Sequence, residues 1–180
     1  RDLLVNVNAL GAAVPSARFM GGREFEVIRD SSTATPTDAD RDAVQSRRVM
    51  LLPAIERGSG PYPHHQHRWT NAPATDGERL VALAHYLALM TDTCLGLIGA
   101  RGPAIVEGPF ARNSDYLDML ATLRTQGVET AQSATGTSTG AALLCLPGAA
   151  APVTHRHPAP PEATALACLA AEWRAALSQT

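Results

Sequence analysis

Apolar side chains recur at intervals of three and four along Leu80, Leu83, Ala84, Leu87, Met90, Cys94 and Leu97. That spacing predicts a helix from Gly77 to about Gly99, capped by Asp76, with one stripe turned to a core. Asn113 caps a second helix, whose Tyr116, Leu117, Leu120 and Leu123 share a face. Asp38 or Asp40 caps a short helix to Ser46, and the Gly21-Gly22 pair makes a tight start to another. A Gly/Ala-rich helix covers Gly136 to Leu146, and a terminal helix runs from Glu162 to about Ser178. Strands are predicted at Arg1–Val7, Val14–Met20, Ala104–Glu107 and Val128–Ala131, with Met50-Leu51-Leu52 as a buried edge. Turn formers mark loops at Asp30–Asp38 and Glu56–Asp76, and a Pro-rich linker at residues 147–161 leads to the terminal helix. Helices alternating with strands predict parallel pairing in a layered α/β fold.

Composition narrows this picture. The 180 residues amount to about one domain with a real core. There is no lysine, the formal net charge is -2, and no basic run is longer than Arg47-Arg48, so no nucleic-acid surface is predicted. The longest apolar stretch, Leu80–Ile98, is broken by His85, Asp92 and Gly96, so no membrane span is predicted. Cys94, Cys145 and Cys168 lie in apolar surroundings without CxxC spacing, which reads as buried, reduced thiols of a cytoplasmic protein. The chain enters a strand directly at Arg1, and is read as a piece of a longer chain.

The segment with most chemical promise is Ala104–Leu120. An apolar strand stops at Glu107, the chain turns on Gly108-Pro109, and a helix starts at Asn113. In an open α/β sheet this arrangement presents backbone N–H groups at the carboxyl end of a strand, where ligands bind. Gly108 lets the backbone approach a flat ligand, Pro109 fixes φ, and Asn113 caps the helix while offering an amide to a base or ribose. A plain strand–helix connection accounts for the same residues. Gly140-Ala141-Ala142 reads as close helix packing. His64, His65 and His67 stand in a Pro-rich loop without a carboxylate or Cys at ligand spacing, so a solvated loop is favoured over a metal site. His155 and His157 read as part of a solvated segment, and His85 as a partly buried helix residue. Asp115 is explained by the helix dipole. The hydroxyl cluster Ser133, Thr135, Thr137, Ser138 and Thr139 has no His base placed beside it. Arg18 and Arg23 face either a cleft or solvent.

Taken in order, "VNVNALGAAVPSARFMGGREFE", "GPYP…RW", "IVEGPFARN" and "TGTSTGAALL" resemble the C-terminal part of the FGGY-family carbohydrate kinases, across nearly the whole chain. The resemblance implies a partial ribonuclease-H-like domain of the actin-like ATPase superfamily, a mixed sheet flanked by helices. It implies that residues 1–180 are the nucleotide-side domain of a sugar kinase, without its first strands and its N-terminal domain. The implied reaction moves the γ-phosphoryl group of ATP, with Mg²⁺, to a hydroxyl of a sugar or polyol. By the same match Gly108 and Asn113 line the adenosine pocket, with Pro109 and Phe110 completing the corner. Pro109 replaces a frequent glycine, and Phe110 either stacks on a base or fills the pocket. Thr139-Gly140-Ala141-Ala142 matches the family's "LGAA" helix. The family's catalytic aspartate and phosphate hairpin match nothing in this chain, so the piece alone is expected to be inactive. A homodimer is left open. The alternatives are a non-catalytic nucleotide-binding or interaction module of the same superfamily, and a metal-dependent hydrolase using the histidine loop.

Overall fold

The computed structural model describes residues 2–131, 136–145 and 153–178. The chain starts with an antiparallel hairpin, β1 (Leu3–Val7) and β2 (Ala13–Ala17), in register Leu3↔Ala17 to Val7↔Ala13. Asn8 closes it, its Oδ1 accepting from the backbone N–H groups of Leu10 and Ala12. Helix α1 (Gly21–Arg29) follows, and its glycine start is a true close approach. A Cβ on Gly21 would lie 2.9 Å from the Phe19 ring.

Helix α2 (Asp38–Arg47) is capped by Thr37, not by Asp38 or Asp40. Thr37 accepts from the Asp40 N–H while the Asp40 carboxylate accepts from the Thr37 N–H at 2.8 Å, a reciprocal capping box. The same carboxylate accepts from Thr75 Oγ1 at 2.6 Å, and Thr75 caps α3 (Asp76–Leu97) in place of the predicted Asp76. Gly77 has no Cβ because Asp40 Oδ2 would be 2.2 Å from it. One carboxylate thus ties together the starts of two helices, and these hydrogen bonds hold it down at about 2.

Two short strands, β3 (Leu51–Leu52) and β4 (Arg68–Trp69), pair antiparallel, so the segment predicted as one loop, Glu56–Asp76, contains a strand. The main sheet has the order β5 (Ala104–Val106), β6 (Val128–Ala131), β7 (Thr154–His157). β5 and β6 are parallel, as the alternation predicts, whereas β6 and β7 are antiparallel, so the sheet is mixed. β7 falls inside the predicted linker. Its pairing partner is remote in sequence and its residues, Thr-His-Arg-His, carry no apolar alternation. Residues 147–152 of that linker, and Leu146 at the end of the helix predicted before it, lie outside the described residues. Between β5 and β6 run a 3-10 turn (Pro109–Arg112) and α4 (Ser114–Leu123); α5 (Gly136–Cys145) and α6 (Ala163–Leu177) complete the order.

The core is built around α3. It packs against α1, α2, α4 and β3, so Val81–Met90 are buried on every side rather than along the one predicted stripe. The helix is long and apolar enough to cross a membrane by length and composition, but 67% of its apolar window is buried within the fold. α4 adds Tyr116, Leu117, Met119 and Leu120, and α6 adds Leu166, Leu169, Ala170 and Trp173 at helical spacing. Cys168 lies off that stripe and is exposed, as is Cys145 on α5; only Cys94 is buried, and burial pushes its thiol up to about 11. Gly140, Ala141 and Ala142 are exposed too, so those small residues do not make the close packing predicted for them. Of the hydroxyl cluster, Ser133 and Thr135 lie outside the described residues.

Candidate functional site

β5 ends at Val106, and the chain turns at Gly108, whose φ of 76° and ψ of -157° belong to a region that only glycine occupies without strain. A Cβ there would meet nothing within 4 Å, so the constraint is conformational and the space in front of the backbone is open. Pro109 then begins the 3-10 turn. Asn113 caps α4 as predicted, its Oδ1 accepting from the Tyr116 N–H at 3.0 Å. Its amide nitrogen has no partner among the described residues.

This corner forms one wall of a cleft of about 400 Å³. Pro109, Arg112, Asn113, Ser114 and Asp115 line that wall. Phe25 and Arg29 of α1, the segment Ser32–Pro36, and Arg41 of α2 line the other. Of the four residues predicted for the site, Pro109 and Asn113 line the cleft. Gly108 supplies the turn behind it. Phe110 is used in packing: its ring stands edge-on to Phe25, centroids 5.6 Å apart, and tilted to Tyr116 at 5.4 Å.

The facing wall was invisible to motif reading, because no spacing rule links residues 25–41 to residues 109–115. Two ionic contacts assemble it. Arg41 donates to Asp115 through Nε at 2.6 Å and Nη2 at 3.3 Å, and to Asp38 at 2.9 Å. Asp115 thus has a partner beyond the helix dipole. Arg29 donates to Glu26 at 2.5 Å and lies over the Phe25 ring, yet its Nε is buried with no acceptor among the described residues. Arg112 is exposed at the mouth with no partner among the described residues. The cleft therefore offers apolar surface, the Asn113 amide nitrogen and the Arg112 guanidinium, neither of the last two with a partner among the described residues. These suit a flat, polar-edged, anionic ligand.

The other candidates are elsewhere. Arg23 pairs with Glu56 at 2.6 Å, and Arg18 reaches Asp2 at 4.0 Å, so both serve the surface near the hairpin. His65 packs edge-on against Tyr62, while His64 and His67 are exposed. No group of three or more His, Cys, Asp or Glu among the described residues is placed to hold a metal ion. His85 is more deeply buried than predicted, 6% exposed, and burial lowers its pKa to about 4. His157 is held by Asp118, Nε2 to Oδ1 2.7 Å, rather than standing in a solvated segment.

Comparison with known proteins bears on this arrangement. No curated protein matches the chain. Among solved structures, a carbohydrate kinase from Novosphingobium aromaticivorans superposes with a TM-score of 0.87 and 38% identity, over 100% of this chain and 40% of that one. A xylulose kinase from Rhodospirillum rubrum shares the fold, with a TM-score of 0.66 and 15% identity over 99% of this chain and 42% of that one. The chain thus spans about two-fifths of the length of either kinase. Both bear out the mixed, helix-flanked α/β architecture of the actin-like ATPase fold. The family described as "Carbohydrate kinase FGGY, C-terminal domain" matches residues 1–156. The chain therefore belongs to the FGGY carbohydrate kinases, as a C-terminal domain of that family.

Proposed function

We propose that this chain is the nucleotide side of an ATP-dependent carbohydrate kinase, and that the cleft between α1 and the start of α4 receives the adenosine of ATP. One observation carries the reading. At the carboxyl end of β5 the backbone turns through an open glycine, and the next residues line a cleft where the Asn113 amide nitrogen has no partner among the described residues. In this reading Pro109 and the Ser32–Pro36 segment flank the base. The Asn113 amide nitrogen donates to a ring nitrogen or ribose oxygen, and Arg112 meets the phosphates at the mouth.

Mg²⁺ would come with the nucleotide phosphates, whose oxygens and water supply most of its ligands. In the reaction proposed for the whole protein, the γ-phosphoryl group passes to a sugar or polyol hydroxyl. The acceptor and the proton-accepting base belong outside these residues, and this piece contributes position and charge rather than a base. The reading keeps the cytoplasm as the place of action.

Isothermal titration with MgATP tests it. Ala34 lies on the cleft wall and is exposed. Ala34→Trp is expected to fill the cleft, leave the circular dichroism unchanged and weaken binding at least tenfold. Equal affinity in wild type and variant would reject the cleft as the nucleotide site.

A further inference from the structure

A small recess opens where α2, α4 and the start of α6 meet over α3. It measures about 120 Å³. Five carboxylates line it, those of Asp38, Asp42, Asp115, Asp118 and Glu162, against the one guanidinium of Arg41 among the described residues. Arg41 and Asp115 also line the adenosine cleft, so the two spaces share that ion pair.

Helix starts explain some of these acids and not others. Asp38 and Asp115 stand in the first turns of α2 and α4, and Glu162 is the N-cap residue of α6, where a negative charge meets the positive end of the dipole. Asp42 and Asp118 lie beyond the first turn of their helices, where that effect has faded. Arg41 is engaged by Asp115 and Asp38, and Asp118 gives one oxygen to His157. Asp42 and Glu162 are exposed and have no ionic partner among the described residues. The recess therefore keeps an excess of negative charge even with His157 protonated.

A second observation is independent of the acids. His85 lines the recess from α3, and only 6% of its surface is exposed. Neither ring nitrogen has a hydrogen-bond partner among the described residues. Nδ1 is enclosed, whereas Nε2 is not. The other hollow that His85 borders is a crevice of about 10 Å³ lined mostly by apolar side chains, so Nε2 opens on the acidic recess. Burial keeps the ring uncharged near neutral pH, so it does not repel a cation and can offer a lone pair. An unpartnered imidazole nitrogen set among carboxylates suits a ligand with a positive charge and several N–H donors. A bare metal ion fits less well, since no three His, Cys, Asp or Glu among the described residues are placed to hold one. The volume admits an ammonium head with a few carbons, and the buried Leu166 supplies an apolar wall for them.

We propose that this recess binds a small primary ammonium ion, the protonated form of a free aliphatic amine, its N–H groups donating to His85 Nε2 and to the carboxylates of Asp42, Asp118 and Glu162. The site does not rest on the nucleotide reading of the neighbouring cleft.

The test is titration of the 180-residue chain with propylammonium chloride, without nucleotide, at neutral pH and low ionic strength, followed by ¹⁵N NMR of the histidine rings and by calorimetry. Tetramethylammonium, which has no N–H, and magnesium chloride at equal ionic strength serve as parallel probes. Saturable binding of propylammonium is expected, with the His85 Nε2 resonance moving to that of an unprotonated, hydrogen-bonded nitrogen, and tetramethylammonium is expected to bind about tenfold more weakly or not at all. Asp42→Asn combined with Glu162→Gln is expected to weaken binding about fivefold. His85→Leu is expected to weaken it about tenfold. Both proteins should keep the circular dichroism of the wild type. Tetramethylammonium or magnesium binding as tightly as propylammonium, binding indifferent to the Asp42 and Glu162 changes, or no saturable binding by the wild type would each overturn the assignment.

Discussion

The Arg41 guanidinium on α2 grips the Asp115 carboxylate on α4 with two hydrogen bonds, Nε to Oδ1 at 2.6 Å and Nη2 to Oδ2 at 3.3 Å. The two residues are far apart in sequence, and each lines the cleft. Asp115 is nearly enclosed, so its charge depends on this partner.

Asp115→Asn leaves Arg41 with a neutral acceptor. A loss of about 2 kcal/mol is expected, from a charge-assisted pair that is only half shielded from water. The cleft walls would then be free to separate, and nucleotide affinity should fall with stability. Chemical denaturation beside calorimetric titration measures both. An Asp115→Asn protein of unchanged stability would show that the pair does not hold the walls.

Gly108→Ala probes the corner itself. The methyl group has space, but the backbone conformation is one that L-residues avoid, and roughly 1–3 kcal/mol of stability should be lost. Because the strain lies one residue before Pro109, ATP affinity should drop as well. Urea midpoints of wild type and variant decide the first point, and a midpoint shift near zero would mean that the turn can re-form.

His85 provides a pH signature. Its imidazole is buried and neutral, with Nδ1 lacking a partner among the described residues; Arg41 also disfavours its protonation and Asp115 opposes that trend less strongly than burial. The folded pKa of about 4 lies below the ordinary value of 6.5, so protons favour the unfolded chain. The stability that His85 permits is complete above pH 6.5, declines as pH falls, and levels off below about pH 4, for a total of up to roughly 3 kcal/mol. Glu24 acts in the opposite sense: burial raises its pKa, so its protonation favours the fold. His85→Leu should therefore flatten the acid side of a stability–pH curve taken from pH 7 to 4. An acid limb as steep as that of the wild type would contradict the assignment.

Trp173 ties α6 to the small sheet. It is almost wholly buried, and its Nε1 donates to the Leu51 carbonyl at 2.7 Å. Trp173→Phe leaves that carbonyl unsatisfied and opens a void, so about 2–4 kcal/mol should be lost. Thermal unfolding followed by circular dichroism reads it, and a loss under 0.5 kcal/mol, the ordinary range for a surface change, would contradict the role.

What the sequence disclosed followed from how local each signal was. Asn113 was legible because its cap sits directly before an apolar helical pattern. Thr37 and Thr75 were misread as Asp38 or Asp40 and Asp76, although each begins a Thr-x-x-acid box that names the cap. Neighbouring aspartates offered the same chemistry one residue later. β7 was missed because Arg156 and its neighbours gain their strand character only from pairing with Glu129 and Thr130. Phe110 was left between two uses, and only the positions of Phe25 and Tyr116 give its packing. For the cleft, one wall was visible as a strand–turn–helix motif. The other, from Phe25 to Arg41, needed the tertiary fold, since ionic pairs such as Arg41–Asp115 leave no periodic trace in a sequence.

The central claim is that adenosine lies between α1 and the start of α4. A crystal structure of the chain grown with AMP tests it most directly. The account expects the base beside Pro109 and the Ser32–Pro36 segment, with the Asn113 amide nitrogen within hydrogen-bond distance of the nucleoside. A nucleotide bound elsewhere on a saturated protein, with this cleft filled by water, would contradict it.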